Sequence, residues 1–329
     1  MAQQYNQIFD EEIYESVNQD NKFLLEDYML ELKSKGRAEK TISQYAFDIR
    51  MMYCYIHENM NNKSILNLKK RDFRNFFLML QETGKSSSRI NRVQSSIRNL
   101  LEFAVDDEDD YEDYIQNPMK KIKSIEKMEV RNIVFLTDEQ VTFLINYLIE
   151  HDKLQQALYV SLSYDSAGRR NEIHQVTKDG FLDDGVFKTC SVIGKRAKQF
   201  PLMYGQRTKD IAKMYLEQRG EDNIHSLWIT GKGEDKRMVA SDTLYVYAVG
   251  FRTILENEYN EDIPMNSHSL RHSSLENYEV GSHHSLKAMG KDKLDLNTLR
   301  ILANHENVDT TMSYLKNKDE DILNDLFGN

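Results

Sequence analysis

His268-Ser269-Leu270-Arg271-His272 packs two histidines and an arginine into five residues. Two histidines at i and i+4 have a zinc-ligand spacing. However, no glutamate follows His268 as metalloproteases require, and His283 and His284 bring no matching carboxylate or cysteine set. The expectation is no metal and no cofactor. Upstream lies Ser166-Ala167-Gly168-Arg169-Arg170-Asn171-Glu172-Ile173, and downstream Leu302-Ala303-Asn304-His305, with Tyr314 nine residues after His305. Each cluster alone has a bland reading. Arg169 and Glu172, at i and i+3, are more often a surface ion pair, and Tyr314 is one of 18 tyrosines. The bland readings do not account for the order of the three clusters or for the spacing between His305 and Tyr314.

Between the first two clusters the texture changes. Residues 184–203 (DGVFKTCSVIGKRAKQFPLM) are short, alternating and broken by Gly185, Gly194 and Pro201, which predicts a small antiparallel sheet with lysines in its turn. Around it the pattern is helical. Thr137 is an N-cap with Gln140 at the capping-box position. Helices are expected to about Glu150, then near 154–164, 206–218, 241–258 and 292–303. The tail from Asp319 to Phe327 reads as one further short helix.

The first 120 residues predict four helices. Their apolar stripes are Leu24, Leu25, Tyr28, Met29 and Leu32; then Tyr45, Ile49, Met52, Tyr53 and Ile56; then Phe73, Phe76, Phe77 and Leu80; then Ile90, Val93, Ile97, Leu100 and Leu101. Gly36 and Gly84 mark stops, and Ser86 to Ser88 offer N-caps. Asp106 to Asp110 is an acidic run, read as a solvated loop or a fraying helix end, and Asn117-Pro118 breaks the helix pattern. The expected domains are residues 1–117, a basic linker over 118–131, and residues 132–329.

The 329 residues suffice for two cores, with 40% apolar and 29% charged residues. No apolar run is long enough for a membrane span. The N-terminus lacks a basic segment followed by an apolar one, so no secretion signal is expected. Two distant cysteines, Cys54 and Cys190, suit a reducing cytosol better than a disulfide framework. The net charge of −10 argues mildly against a polyanionic partner. Its distribution argues the other way. Residues 61–100 carry Lys63, Lys69, Lys70, Arg71, Arg74, Lys85, Arg89, Arg92 and Arg98 against Asp72 and Glu82, a local charge of +7. Together with Lys120, Lys121 and Lys123, these cations read either as solvated helix faces or as a phosphate-facing surface.

The three clusters choose between those readings. The second part resembles the catalytic domain of the tyrosine recombinases, the family of phage integrases and chromosome-dimer resolvases. Ala167-Gly168-Arg169-Arg170-Asn171-Glu172-Ile173 is similar to the family's first box and puts its first arginine on Arg169. His268 to His272 matches the second box, with its histidine on His268 and its arginine on Arg271. Leu302 to His305 and Thr310-Thr311-Met312-Ser313-Tyr314 resemble the last box. The family's hairpin lysine falls on Lys195, with Lys198 as second choice. Thr41 to Tyr45 fits an early helix of the family's core-binding domain.

The resemblance implies a mainly α fold with a small antiparallel sheet. A helical core-binding domain would precede an α/β catalytic domain. It also implies metal-independent strand cleavage, with Tyr314 forming a 3′-phosphotyrosine and Arg169, Arg271 and His305 holding the phosphate. Lys195 would act as general acid and His268 would move the tyrosine's proton. Glu172 and His272 would support the site. The implied partners are double-stranded DNA and further copies of the chain, as dimer or tetramer, in a bacterial cytoplasm and on a mobile element.

The match departs from the family where Ala167 stands for a glycine and Gly168 for an apolar residue. Residues 281–293 also look like an insertion between Arg271 and His305. A DNA-binding phage regulator that keeps the fold without strand transfer is the alternative. A type IB topoisomerase is a third reading.

Overall fold

The computed structural model describes residues 9–107, 109–126, 133–181 and 185–316, and the chain divides into two compact units, Met1–Arg131 and Asn132–Asn329. The first unit is helical. A short α1 (Glu11–Glu15) leads to α2 (Gln19–Ser34), α3 (Glu39–Asn59), α4 (Lys70–Glu82) and α5 (Ser87–Asp106). The apolar stripes expected from the sequence form one core, where Ile49, Met52, Tyr53, Phe73, Phe76, Leu80, Val93 and Ile97 are fully enclosed. Ser86 caps α5 by accepting from the Arg89 amide at 3.3 Å.

Not all the basic residues expected at a phosphate-facing surface point outward. Asp48 is buried in α3, and there it accepts from Arg92 Nε and Nη2 (both 3.1 Å), from Ser96 Oγ at 3.0 Å and from Arg89 Nη2 at 3.1 Å. A carboxylate enclosed by a core needs such partners. Arg89 and Arg92 are therefore spent on the bundle. Arg98 donates to the carbonyls of Met119 and Ile122 at 3.4 and 3.0 Å. The expected linker is corrected by the same contacts. Pro118–Lys121 forms a 3-10 turn, Met119 is fully enclosed, and the segment as far as Glu126 belongs to the first unit; residues 127–131 lie outside the described residues. Asp48→Ala strands two half-buried guanidiniums. It is expected to cost about 3 kcal/mol, read as a lower urea midpoint for the full chain.

The second unit is built around α7 (Leu154–Ser166), whose residues from Ala157 onward are all buried. A helix enclosed on every side needs neighbours on every side. These include α6 (Asp138–Glu150), α8 (Arg170–His174), α9 (Gln206–Arg219) and α11 (Ser269–Val280). Thr137 and Gln140 form the expected reciprocal box at the start of α6 (3.2 and 3.0 Å). Strands β1 (Lys188–Ile193) and β2 (Gln199–Met203) pair antiparallel, with Ile193 opposite Gln199 and Val192 opposite Phe200. A second two-stranded ribbon joins β3 (Ile229–Thr230) to β4 (Arg237–Met238); the sequence does not announce it, because two residues per strand leave no periodicity to read.

Helix α10 (Ser241–Tyr259) closes the main core. Then α12 (Ser285–Met289), α13 (Leu296–Leu302) and α14 (Val308–Met312) surround a smaller core of Ala167, Leu275, Tyr278, Leu286, Leu294, Leu299 and Ala303, against which Tyr314 packs. The tail helix expected over Asp319 to Phe327 lies outside the described residues.

Candidate active site

Helix α7 ends in a left-handed residue, Ala167 (φ 50°, ψ 27°), a conformation that costs an alanine about 1 kcal/mol. Next comes Gly168. A Cβ there would lie 2.8 Å from Ile173 Cδ1 and 3.0 Å from Ser166 Oγ, so this turn has no room for the apolar residue of the family pattern. The turn delivers Arg169 to the N-cap of α8, where buried Glu172 takes both its backbone amide (2.8 Å) and its Nη1 (2.9 Å). One carboxylate thus fixes the backbone and the guanidinium together.

Arg271, on the first turn of α11, is only 1% exposed. Its Nη1 donates to the Ala167 carbonyl, and its Nη2 donates to the Ala303 carbonyl at 2.8 Å and to His305 Nε2 at 2.6 Å. Its Nε is buried without a partner. Burial and the charge of Arg169 press its pKa down to about 10, so it stays charged at neutral pH.

A guanidinium only donates, so His305 Nε2 accepts and the ring proton of neutral His305 sits on Nδ1. That nitrogen lies 2.9 Å from Oγ1 of Thr311, a fully buried side chain of α14. Burial and the charges of Arg271, Arg169 and Lys195 push the His305 pKa down to about 3. In the sequence Thr311 stands out only as part of a motif; its hold on His305 needs the fold. Thr311→Val removes the acceptor of the Nδ1 proton and with it the bond that orients the ring. An order-of-magnitude loss of cleavage rate is expected, with DNA affinity unchanged in a gel-shift titration.

Tyr314 follows α14. Its ring stacks on His272 with centroids 4.5 Å apart and lies 5.1 Å from the His305 ring. The Arg271 guanidinium carbon lies 5.0 Å from its centroid. His272 Nδ1 donates to the Tyr314 carbonyl at 3.0 Å. His268 is exposed at the start of α11; partial desolvation and the charges of Arg271, Arg169, Arg170 and Lys195 lower its pKa, so its ring is neutral at pH 7. Lys195 and Lys198 flank the exposed β1–β2 turn, and the charge of Lys195 bears on both His268 and His305. Arg271, His305 and Tyr314 thus converge, and the charges of Arg169 and Lys195 bear on His305 and His268. The segment 281–293 does not keep His305 from Arg271.

His283 and His284 do meet a carboxylate: possible ligand atoms of Asp138, His283 and His284 all lie within 4.8 Å of one another. Burial opposes a charge on His284, but its contacts with Asp138 and Asp165 outweigh burial and raise its pKa. Arg207 Nη2 sits 3.0 Å from His284 Nδ1. His283 lies between the rings of Tyr278 (3.6 Å) and Tyr164 (4.2 Å), and burial first of all drives its pKa down to about 3. The folded state therefore favours neutral His283. Its contribution is complete above the unfolded pKa of about 6.5 and is lost as pH falls from there toward 3. Chemical denaturation between pH 7 and pH 4 is expected to show this loss, with a shallower slope for His283→Phe.

In the first unit several of the remaining cations line neighbouring grooves. Arg74, Lys121 and Lys123 line one groove; Lys69, Lys70, Lys120 and Lys121 line a second; Lys69 and Arg71 line a third. Lys120 also pairs with Glu102 at 2.7 Å, and Lys85 is half-buried between α4 and α5.

The phage integrase family model matches residues 134–321, and the phage integrase N-terminal SAM-like domain matches residues 25–108. The chain belongs to the phage integrase family. It is 25% identical to the SPbeta prophage-derived recombinase-like protein YomM of Bacillus subtilis (strain 168), over 96% of this chain and 93% of the relative. It is 24% identical to the tyrosine recombinase XerD of Oceanobacillus iheyensis, over 89% and 93%. In fold it is similar to lambda integrase in a dimer bound to a COC′ core site (TM-score 0.65, 15% identity, covering 89% of this chain and 94% of that one). A XerH recombinase bound to a palindromic difH substrate has the same architecture (TM-score 0.66, 16% identity, covering 92% and 82%). The mainly helical two-domain fold with small antiparallel sheets is that of the tyrosine recombinases. Among the described residues no helix is long and apolar enough to cross a membrane.

Proposed function

We propose that this tyrosine recombinase performs site-specific DNA strand exchange, with Tyr314 as nucleophile. The observation that carries the proposal is the meeting of the Arg271 guanidinium and neutral His305 at the Tyr314 ring, with the charge of Arg169 bearing on both. Such a site is built for a phosphodiester. The Tyr314 oxygen attacks phosphorus, and its proton passes to His268. The two arginines take up charge on the non-bridging oxygens of the pentavalent state. The bond to the 5′-oxygen breaks, and Lys195 protonates the leaving oxygen. The result is a 3′-phosphotyrosine and a free 5′-hydroxyl. Attack by the 5′-hydroxyl of a second duplex reverses the step and joins the strands, with no metal or cofactor required.

The partner is double-stranded DNA, gripped by the grooved basic surface of residues 69–74 and 118–123. Further copies of the chain assemble on it, as in the lambda integrase dimer and tetramer complexes. The expected setting is the bacterial cytoplasm and a prophage, like that of YomM.

A nicked suicide duplex carrying the cognate site tests this reading. A covalent adduct that survives denaturing gel electrophoresis is expected. If the duplex is bound and no adduct forms, the protein is a DNA-binding regulator on a recombinase fold. Binding itself is expected to weaken by about 10³-fold or more between 50 and 200 mM salt. Flat salt dependence would remove DNA as the partner.

A further inference from the structure

Arg196, at the tip of the β1–β2 turn, places Nη1 2.6 Å from both carboxylate oxygens of Glu306. Glu306 directly follows His305, and Arg196 directly follows Lys195. We propose that this ion pair is a clasp that holds Lys195 over the phosphate site, which makes Arg196 and Glu306 positioning residues. The proposal rests on the strand-cleavage reading above.

The turn cannot hold its own shape cheaply. Arg196 (φ 58°, ψ 33°) and Ala197 (φ 58°) are consecutive left-handed residues, and neither is glycine. L-residues resist that conformation, and two in succession persist only where the surroundings impose it. Inside the turn two bonds close the loop, from the Gly194 amide to the Lys198 carbonyl (2.8 Å) and, longer, from the Lys198 amide to the Lys195 carbonyl (3.4 Å). The base is fixed independently. A Cβ on Gly194 would come within 2.7 Å of the Phe200 ring and 3.4 Å of Glu172 Oε1, the oxygen that holds Arg169. The turn is therefore seated at its base beside the partner of Arg169 and tied at its tip to the neighbour of His305. Lys195 lies between these two points, and its charge bears on His305 and His268. The pair itself is open to water, with side chains 78% and 63% exposed, so it contributes little to folding. Its effect is on where the turn sits.

Glu306→Gln and Arg196→Gln are each expected to slow adduct formation about 3- to 10-fold at saturating DNA and to leave the dissociation constant unchanged. The double exchange Arg196→Glu with Glu306→Arg restores the rate. A suicide duplex with sulfur in place of the bridging 5′-oxygen supplies a leaving group that departs without a proton. On it both single variants regain the wild-type rate, as Lys195→Ala does, whereas general damage to the site would persist. If Arg196→Gln instead weakens DNA binding and lowers the salt slope by about one, Arg196 is a phosphate contact and the clasp is wrong. Amide hydrogen exchange over residues 194–198 gives a readout that needs no cleavage. It is expected to quicken in both single variants and recover in the double exchange. Unchanged exchange overturns the clasp even where wild type forms adducts. Quickened exchange in a wild-type background that forms none leaves the clasp standing and removes the cleavage reading.

Discussion

Tyr314→Phe is expected to abolish the covalent adduct, by at least about 10³-fold, while binding its duplex as wild type does. The substitution removes one oxygen and keeps the ring. The stack on His272 at 4.5 Å and the packing against the small core of Leu275, Leu299 and Ala303 both remain. No other group takes over, because an attacking oxygen must lie beside the phosphorus that the arginines hold. The measurement is a denaturing gel of a labelled suicide duplex, run beside a gel shift of the same samples. An adduct of wild-type yield from the Phe variant would move the nucleophile elsewhere.

Arg271→Ala is expected to have the second largest effect, and it acts on two quantities. Cleavage falls by about 10²- to 10³-fold, the usual loss when a preorganised donor to a developing anion is removed. Folding also suffers, by about 3 kcal/mol. In the free protein the guanidinium serves Ala167, Ala303 and His305, and its loss strands two carbonyls inside the second unit. The urea midpoint should therefore drop with the rate. Arg271→Lys restores the charge but not three donors in a plane, so it recovers part of the stability and little of the rate. A variant that loses stability yet cleaves normally would place the phosphate on other donors.

Part of the site is legible in the sequence alone. Arg169 and Glu172 are three residues apart, and the ion pair expected of that spacing forms. The helix stripes of the first unit and the caps at Ser86 and Thr137 likewise follow from local rules. Other features are not legible locally because they concern partners far away in sequence. Arg89 and Arg92 read as members of a surface charge cluster, yet Asp48, on another helix, takes them. His284 reads as lacking a carboxylate because Asp138 is 146 residues away. Met119 reads as a linker residue because the helices that bury it lie elsewhere in the chain.

The sequence by itself determined which family this chain resembles and the class of fold it adopts. Periodicity, caps and turns are properties of neighbouring residues, and the ordered boxes ending at Tyr314 resemble the tyrosine recombinases. The tertiary structure alone decided how the boxes meet. It set which nitrogen of His305 bears the proton, that Arg271 lies under Tyr314 with both Nη nitrogens bonded and Nε without a partner, and that Glu306 reaches the turn beyond Lys195. Those facts depend on angles and distances between segments that touch only after the chain closes on itself. No local pattern encodes them, because the energy that selects them comes from the packing of the whole unit.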